Sequence, residues 1–563
     1  MSATIRQNPI PNAASTDQLS KNKSRITITL EDRIAGLGLL FVLALVYYIR
    51  SQFSEIPFER DEGAYAYYGT LLLEGKRPYI DFYEQKFPGL FYFYAGMVAL
   101  FGDTVKGMHT GFIWVNLLTI VFLFFASRRL FSPMAGLISA VSFGIMSLNP
   151  QLSGYTIQGE HAVALFTSLA LMLYMYARKS ESWLLLGATG LSTGLAFMSK
   201  TSGVFMVALL GGLIILDFYH KGFWNCVKLL CAYGIGVALV VGFFFGLMAY
   251  LGSWHDMLFW TFEIPKNYVG KIKWDDGSQN CGKVFLKYMY GSIVTPYKWF
   301  WYHAFAAALI IFIKSFKSVK WHPLIVFACS AATVVPGFYF YGHYWIQVLP
   351  GLALLAAFTM QALLALLKSF KLNFQVLSYW YAIVFLILVL IHINSKKDYY
   401  INPNYHQILR TVYGTNPFPE SMEIANWINS HSKPNDGLVV IGSEPQLYFY
   451  TQKKCPSRHA YFAAIVDNVP QHKVWQREFV ADVDRSKPKY LIFFNHGISL
   501  FRQANTDDFV FRWLDSTLRT QYQPVGLVDM MPGLMPSVYK WGMAEMSNYQ
   551  AQGQERIIVY ERK

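Results

Sequence analysis

Three groupings of residues in this sequence have the types and spacing to do chemistry. The first is Glu59-Arg60-Asp61-Glu62-Gly63-Ala64-Tyr65, lodged between two hydrophobic stretches. Adjacent carboxylates are costly beside a bilayer, so they need a reason to be there. Asp61 could cap a helix with Glu62 in its first turn. Asp61 could instead serve as a general base toward an incoming hydroxyl. The second grouping is Tyr83-Glu84-Gln85-Lys86-Phe87-Pro88-Gly89. Lys86 there either snorkels to lipid headgroups or holds a phosphate as a point charge. The third is scattered: Glu160-His161, Lys200 and His343-Tyr344. Ionisable residues at the mouths of spans are site candidates by default, although a lone histidine such as His343 is more often a hydrogen-bonded packing residue. A carboxylate among several cations suits a phosphate-bearing lipid substrate. The cations take the phosphate and the carboxylate takes a proton from the nucleophile.

The elements that must position these residues are membrane helices. The chain has 563 residues, 54% hydrophobic and only 15% charged, which is the composition of an integral membrane protein. Its net charge of +14 does not point to nucleic acid, because much of the excess lies in short loops between apolar runs. No small-residue cleavage site follows the first run, so it reads as a retained anchor. Five cysteines without metal-ligand spacing argue against a disulfide framework. Cys226, Cys231 and Cys329 read as packing residues, and a Cys281–Cys455 pair stays open.

Apolar runs occur at 34–49, 108–127, 134–148, 162–177, 183–198, 203–216, 229–251, 299–313, 324–340, 344–367 and 376–393. A twelfth run, 87–101, is short and broken by Pro88, Gly89 and Gly96. The basic loops decide its role. With the N-terminal tail and its Lys21, Lys23 and Arg25 inside, and 87–101 lying along the interface, the inside loops carry Arg128-Arg129, Arg178-Lys179, His220-Lys221 with Lys228, Lys314/Lys317/Lys320 and Lys368/Lys371. Every one is basic, as the positive-inside rule requires. The expectation is therefore about 11 spans plus one interfacial helix. Residues 1–33 form a cytoplasmic tail, 34–395 the membrane domain with an outer loop at 51–107, and 396–563 an outer soluble domain. The placement is the plasma (inner) membrane, with the C-terminal domain extracytoplasmic. Lys200 then joins two spans on the outer side, against the charge rule, and calls for an anionic partner, either a phosphate or Glu160.

Residues 396–563 alternate helical and strand-like segments. Helices are expected at 420–430, 469–485 and 507–519, with strands at 437–441, 489–494 and 556–560. This is the pattern of a small α/β layer fold. No Gly-x-Gly-x-x-Gly follows a strand, so a dinucleotide site is not supported.

The pattern Asp61-Glu62-Gly63-x-Tyr65-x-Tyr67-x-Gly69, then Leu72-x-x-Gly75-x-x-Pro78-Tyr79-x-Asp81, then Lys86-x-Pro88-Gly89, resembles the first outer loop of GT-C glycosyltransferases. The branch it resembles is the protein O-mannosyltransferase/aminoarabinose transferase-like group, glycosyltransferase family 39-like. Gly194-Leu195-Ala196-Phe197-x-x-Lys200 and His343-Tyr344 with Pro350 add to the likeness. The resemblance implies a GT-C fold and inverting transfer of a sugar from a polyprenyl-phosphate carrier to a lipid, glycan or protein acceptor at the outer face. It implies Asp61 as catalytic base and places Glu160, a second acidic residue in the next outer loop, among the catalytic residues. Lys86, Lys200 and His343 would bind the donor phosphate, and Glu62 and Tyr65 would contact the acceptor or serve as support, Glu62 for a metal or for the acceptor. It implies no cofactor, and leaves a divalent metal open. Lys86-Phe87-Pro88 stands where members often have Lys-Pro-Pro. The competing class is a transporter or flippase of lipid-linked sugars, which needs charges deep in several spans and related halves. The span interiors here are nearly free of charge and show no pseudo-repeat. A third class, a sensor or scaffold acting through its outer domain, leaves the first loop unexplained.

Overall fold

The computed structural model describes residues 28–269, 285–310, 321–367, 373–467, 469–503 and 505–563, with positions 272, 279, 282 and 283. Lys21, Lys23, Arg25, Cys281, Lys314, Lys317, Lys320, Lys368 and Lys371 lie outside the described residues.

The N-terminal half is a run of helices: α1 (Leu30–Ser51), α2 (Arg60–Leu73), α3 (Pro88–Phe101), α4 (Val105–Leu130), α5 (Pro133–Met146), α6 (Gly159–Ser180), α7 (Trp183–Ser199), α8 (Val204–Phe218) and α9 (Phe223–Tyr250). Local chemistry sets their ends. Thr29 and Asp32 form a capping box that starts α1, and Thr104 accepts the Gly107 N–H to start α4. Each expected apolar run falls on a helix, the later ones on Lys298–Ile310, Trp321–Ala332, Leu349–Leu367 and Phe374–Ser395. Among the described residues, seven helical stretches are long and apolar enough to cross a membrane. The remaining runs are shorter, as in α5, α7 and Trp321–Ala332.

One expected span is cut short. The run 324–340 is helical only to Ala332. Pro336 disfavours helix at the residue before it, and Gly337, Phe338 and Phe340 then take φ of 81°, 57° and 51°. Apolar composition persists there without a helical backbone.

The twelfth run is α3. At 14 residues it is about 21 Å long, short of a hydrocarbon core of roughly 30 Å. Pro88 sits at its first turn, where a missing N–H costs nothing. The helix is wedged between α2 and α7. A Cβ at Gly89 would lie 2.5 Å from the Met198 carbonyl oxygen, so only glycine lets the start of α3 approach the end of α7.

Residues beyond Ser395 build a five-stranded sheet of order β1-β2-β5-β3-β4. The strands are β1 (Leu438–Ile441), β2 (Tyr490–Asn495), β3 (Tyr522–Met530), β4 (Val538–Trp541) and β5 (Glu555–Arg562). β1 and β2 are parallel, with Val440 opposite Ile492, and the other pairs are antiparallel. Helices Phe418–His431, His472–Ser486 and Phe509–Gln521 flank the sheet where helices were expected. β3 and β4 were not expected. Pro524 and Gly526 disguise β3, and the register shifts between them. β4 is a four-residue strand at the sheet edge.

The segment between α1 and α4 and the C-terminal region share one core. Phe58, Tyr68 and Phe82 belong to the same buried cluster as Ile424, Tyr448, Trp475 and Phe494. Gly63 of α2 lies against Gln446 so closely that a Cβ there would sit 2.2 Å from the Gln446 Cβ. The helix carrying Asp61 is therefore packed directly on the C-terminal domain.

Candidate active site

The first turn of α2 is capped by Glu59, not by Asp61. Glu59 accepts the Glu62 N–H at 2.7 Å and the Gln158 side-chain amide at 2.6 Å, both on Oε1. Burial raises the Glu59 pKa to about 8, and the charge of Asp61 adds to the rise. The capping expectation for Asp61 is thus corrected: the cap lies two residues earlier. Asp61 is left half-buried, with Oδ1 accepting the Tyr461 hydroxyl at 3.2 Å.

Glu62 points the other way. It is fully buried, accepts the Ile157 N–H at 2.9 Å and lies 3.1 Å from His109 Nε2. It ties α2 to α4 and to the segment leading into α6. Tyr65, one turn on, is buried and packs edge-on against Tyr94 with ring centroids 5.4 Å apart.

Lys86 precedes α3 and lies 3.4 Å from Glu84. Its carbonyl accepts the Tyr79 hydroxyl at 2.7 Å. Tyr79 itself is buried with φ of 67°, a left-handed backbone unusual for a bulky residue. Burial alone would lower the Lys86 pKa. The charges of Glu84 and Asp61 outweigh it and raise the pKa above the usual lysine value, so the side chain is a fixed cation.

Glu160 opens α6 and is buried. It forms an ion pair with Lys200, and its Oε1 lies 3.8 Å from His343 Nε2. The anionic partner that Lys200 called for is Glu160. Lys200 also sits 4.2 Å from the Tyr344 ring centroid. The charges of Asp61, Glu160 and Lys86 all bear on Lys200 and on His343. Asp61, Lys86, Glu160, Lys200 and His343, from four separate stretches of the sequence, thus lie within one another's electrostatic reach, while Glu62 and Tyr65 are buried on the helix that carries Asp61.

Reading the sequence missed Tyr461, Tyr79 and Glu84. Tyr79 stands in the same first-loop motif as Lys86, and Glu84 lies two residues before Lys86, which is a signal. Tyr461 carries none. Among the described residues, no group of three or more His, Cys, Asp or Glu side chains is gathered to hold a metal ion.

Arg60, beside Asp61, is held by the C-terminal domain. It pairs with Glu444 at 2.7 Å, donates to the Ser443 carbonyl and donates to Asn416 at 3.1 Å.

Residues 85–245 match the profile of the dolichyl-phosphate-mannose-protein mannosyltransferase family. That segment includes Lys86, Glu160 and Lys200, and leaves Asp61 and His343 outside. The structure is similar to the crystal structure of ArnT from Cupriavidus metallidurans in the apo state, with a TM-score of 0.56 and 14% identity over 93% of this chain and 97% of that one. It is likewise similar to the same protein bound to undecaprenyl phosphate, with a TM-score of 0.54 and 14% identity over the same shares. At this identity the likeness is one of fold. No curated protein matches the sequence. The chain thus has the GT-C fold of a multi-pass membrane protein, and its residues 85–245 are similar to the dolichyl-phosphate-mannose-protein mannosyltransferase family.

Proposed function

We propose that the chain moves a sugar from a polyprenyl-phosphate carrier to an acceptor hydroxyl at the outer face of the membrane, with inversion and with Asp61 as the base. The reading is supported most by the convergence of Asp61 with Lys86, Lys200 and His343 in one field of charge. A solved protein of this fold was crystallised with undecaprenyl phosphate, which supports a carrier of that class.

In this reading the acceptor oxygen attacks the anomeric carbon as the bond from that carbon to the phosphate oxygen breaks. The new glycosidic bond forms on the opposite face. The acceptor proton passes to Asp61 Oδ2, and the carrier phosphate leaves with the electron pair. Lys86 meets the negative charge that grows on the phosphate, where a prepositioned cation is worth most. Lys200 stands behind it, its position set by Glu160, and His343 lines the same end. Glu160 acts by holding Lys200, since its carboxylate is already engaged. Glu62 and Tyr65 fix the base from behind.

A transport path would need ionisable groups along the spans. α4 has no Asp, Glu, Lys, Arg or His between His109 and Arg128, and α6 none between His161 and Arg178. The transferase reading is tested by incubating solubilised protein with a panel of polyprenyl-phosphate sugars and hydroxyl acceptors. Acceptor-dependent release of free carrier phosphate is expected for at least one pair. Carrier movement across a liposome membrane without any release would overturn it.

A further inference from the structure

The C-terminal domain reaches the candidate base through two ties that close on each other. Arg60 donates to the Ser443 carbonyl. The Ser443 hydroxyl in turn accepts the Ala463 N–H at 2.9 Å. Two residues before Ala463, the Tyr461 hydroxyl reaches Asp61 Oδ1 at 3.2 Å. Adjacent residues of α2 are thus gripped by one short stretch of the C-terminal domain, and Ser443 links the two grips. Gly63 and Gln446 pack in contact alongside. The neighbours of Tyr461 on both sides, Ala460 and Phe462, are buried, so the ring is presented from a fixed backbone.

Among the described residues, Tyr461 makes the hydrogen bond to Oδ1 and nothing bonds to Oδ2. A carboxylate presents acceptor sites on both oxygens. A phenol on one oxygen fixes the plane of the group and leaves the other oxygen aimed at whatever fills the site. We propose that Tyr461 is a positioning residue for the transfer reaction: it orients the Asp61 carboxylate so that Oδ2 faces the acceptor hydroxyl. This rests on Asp61 being the base. It gives the C-terminal domain a part in catalysis.

The test compares Tyr461→Phe in two backgrounds. In the native protein, Tyr461→Phe is expected to lower kcat about ten-fold, with donor KM and thermal midpoint unchanged. In Asp61→Glu, the carboxylate stands one methylene further out and no longer meets the phenol as Asp61 does. There the same substitution is expected to have no further effect, because coupled residues are not additive. An equal loss in both backgrounds, no loss in either, or a loss explained by a lower thermal midpoint would overturn the proposal. Asp61→Asn is measured alongside. If it transfers normally, the base reading fails. If it is inactive and the Tyr461 result is negative, only the positioning role fails.

Discussion

Glu59 accepts the backbone N–H of Glu62 at 2.7 Å and so takes the capping role that Asp61 would otherwise hold. The acidic cluster at the start of α2 is divided by function within four residues. Glu59 caps, Arg60 anchors the C-terminal domain, Asp61 accepts the Tyr461 hydroxyl, and Glu62 ties α2 to α4 and the start of α6. Removing the cap with Glu59→Ala is expected to cost about 0.5–2 kcal/mol, in the range of helix N-caps. Thermal unfolding in detergent should show it as a lower midpoint, whereas Asp61→Asn should leave the midpoint in place.

The same residue predicts a pH dependence. Burial and the Asp61 charge raise the Glu59 pKa to about 8. A carboxyl raised in the folded state binds its proton more tightly there than in the unfolded chain. Its stabilising contribution is present in full below the ordinary glutamate pKa and is lost as pH rises through about 8. Glu59→Gln mimics the protonated acid and keeps the cap. Plotted against pH, the thermal midpoint of the native protein should fall across this window, and that of Glu59→Gln should stay flatter.

Lys86 and Tyr79 should separate charge from placement. Lys86→Gln removes the cation and is expected to lower kcat/KM for the donor about 10²–10³-fold, the scale of a lost electrostatic contact to a developing charge. Tyr79→Phe removes the hydroxyl that holds the Lys86 carbonyl and keeps the charge. Its expected loss is smaller, about three- to ten-fold. Steady-state kinetics over a range of donor concentrations distinguishes the two.

Glu160 is buried and Lys200 largely so, and breaking their pair from one side should be worse than removing it whole. Glu160→Gln leaves Lys200 largely buried beside a neutral amide, at an expected cost of about 3–5 kcal/mol. Glu160→Gln combined with Lys200→Gln should recover much of that stability while transfer stays impaired. Thermal midpoints and transfer rates of the two single variants and the double variant check both halves.

How much of this could be read beforehand depends on what each residue advertises. Asp61 and Lys86 stand in a motif with unusual charge beside apolar runs, and Lys200 breaks the charge rule for loops, so all three are visible in sequence. Their convergence rested on a topology argument from basic loops, several of which lie outside the described residues. Capping was misplaced because Glu59 and Asp61 both precede a helical run, and only backbone geometry shows which one starts it. The helix expected to run to Phe340 ends at Ala332, ahead of Pro336-Gly337, two breakers that the apolar composition of the run concealed. β3 was hidden by Pro524 and Gly526. Tyr461 was invisible for a different reason: its partner lies 400 residues away, and a tyrosine in an aromatic-rich chain announces nothing by itself.

The most direct measurement is the single-turnover rate of sugar transfer by Asp61→Asn against the native protein, with carrier binding measured in parallel. Loss of a general base is expected to slow transfer about 10²–10⁴-fold, with carrier binding and thermal midpoint unchanged. Transfer at the native rate by a correctly folded Asp61→Asn protein would contradict the assignment of Asp61 as the base.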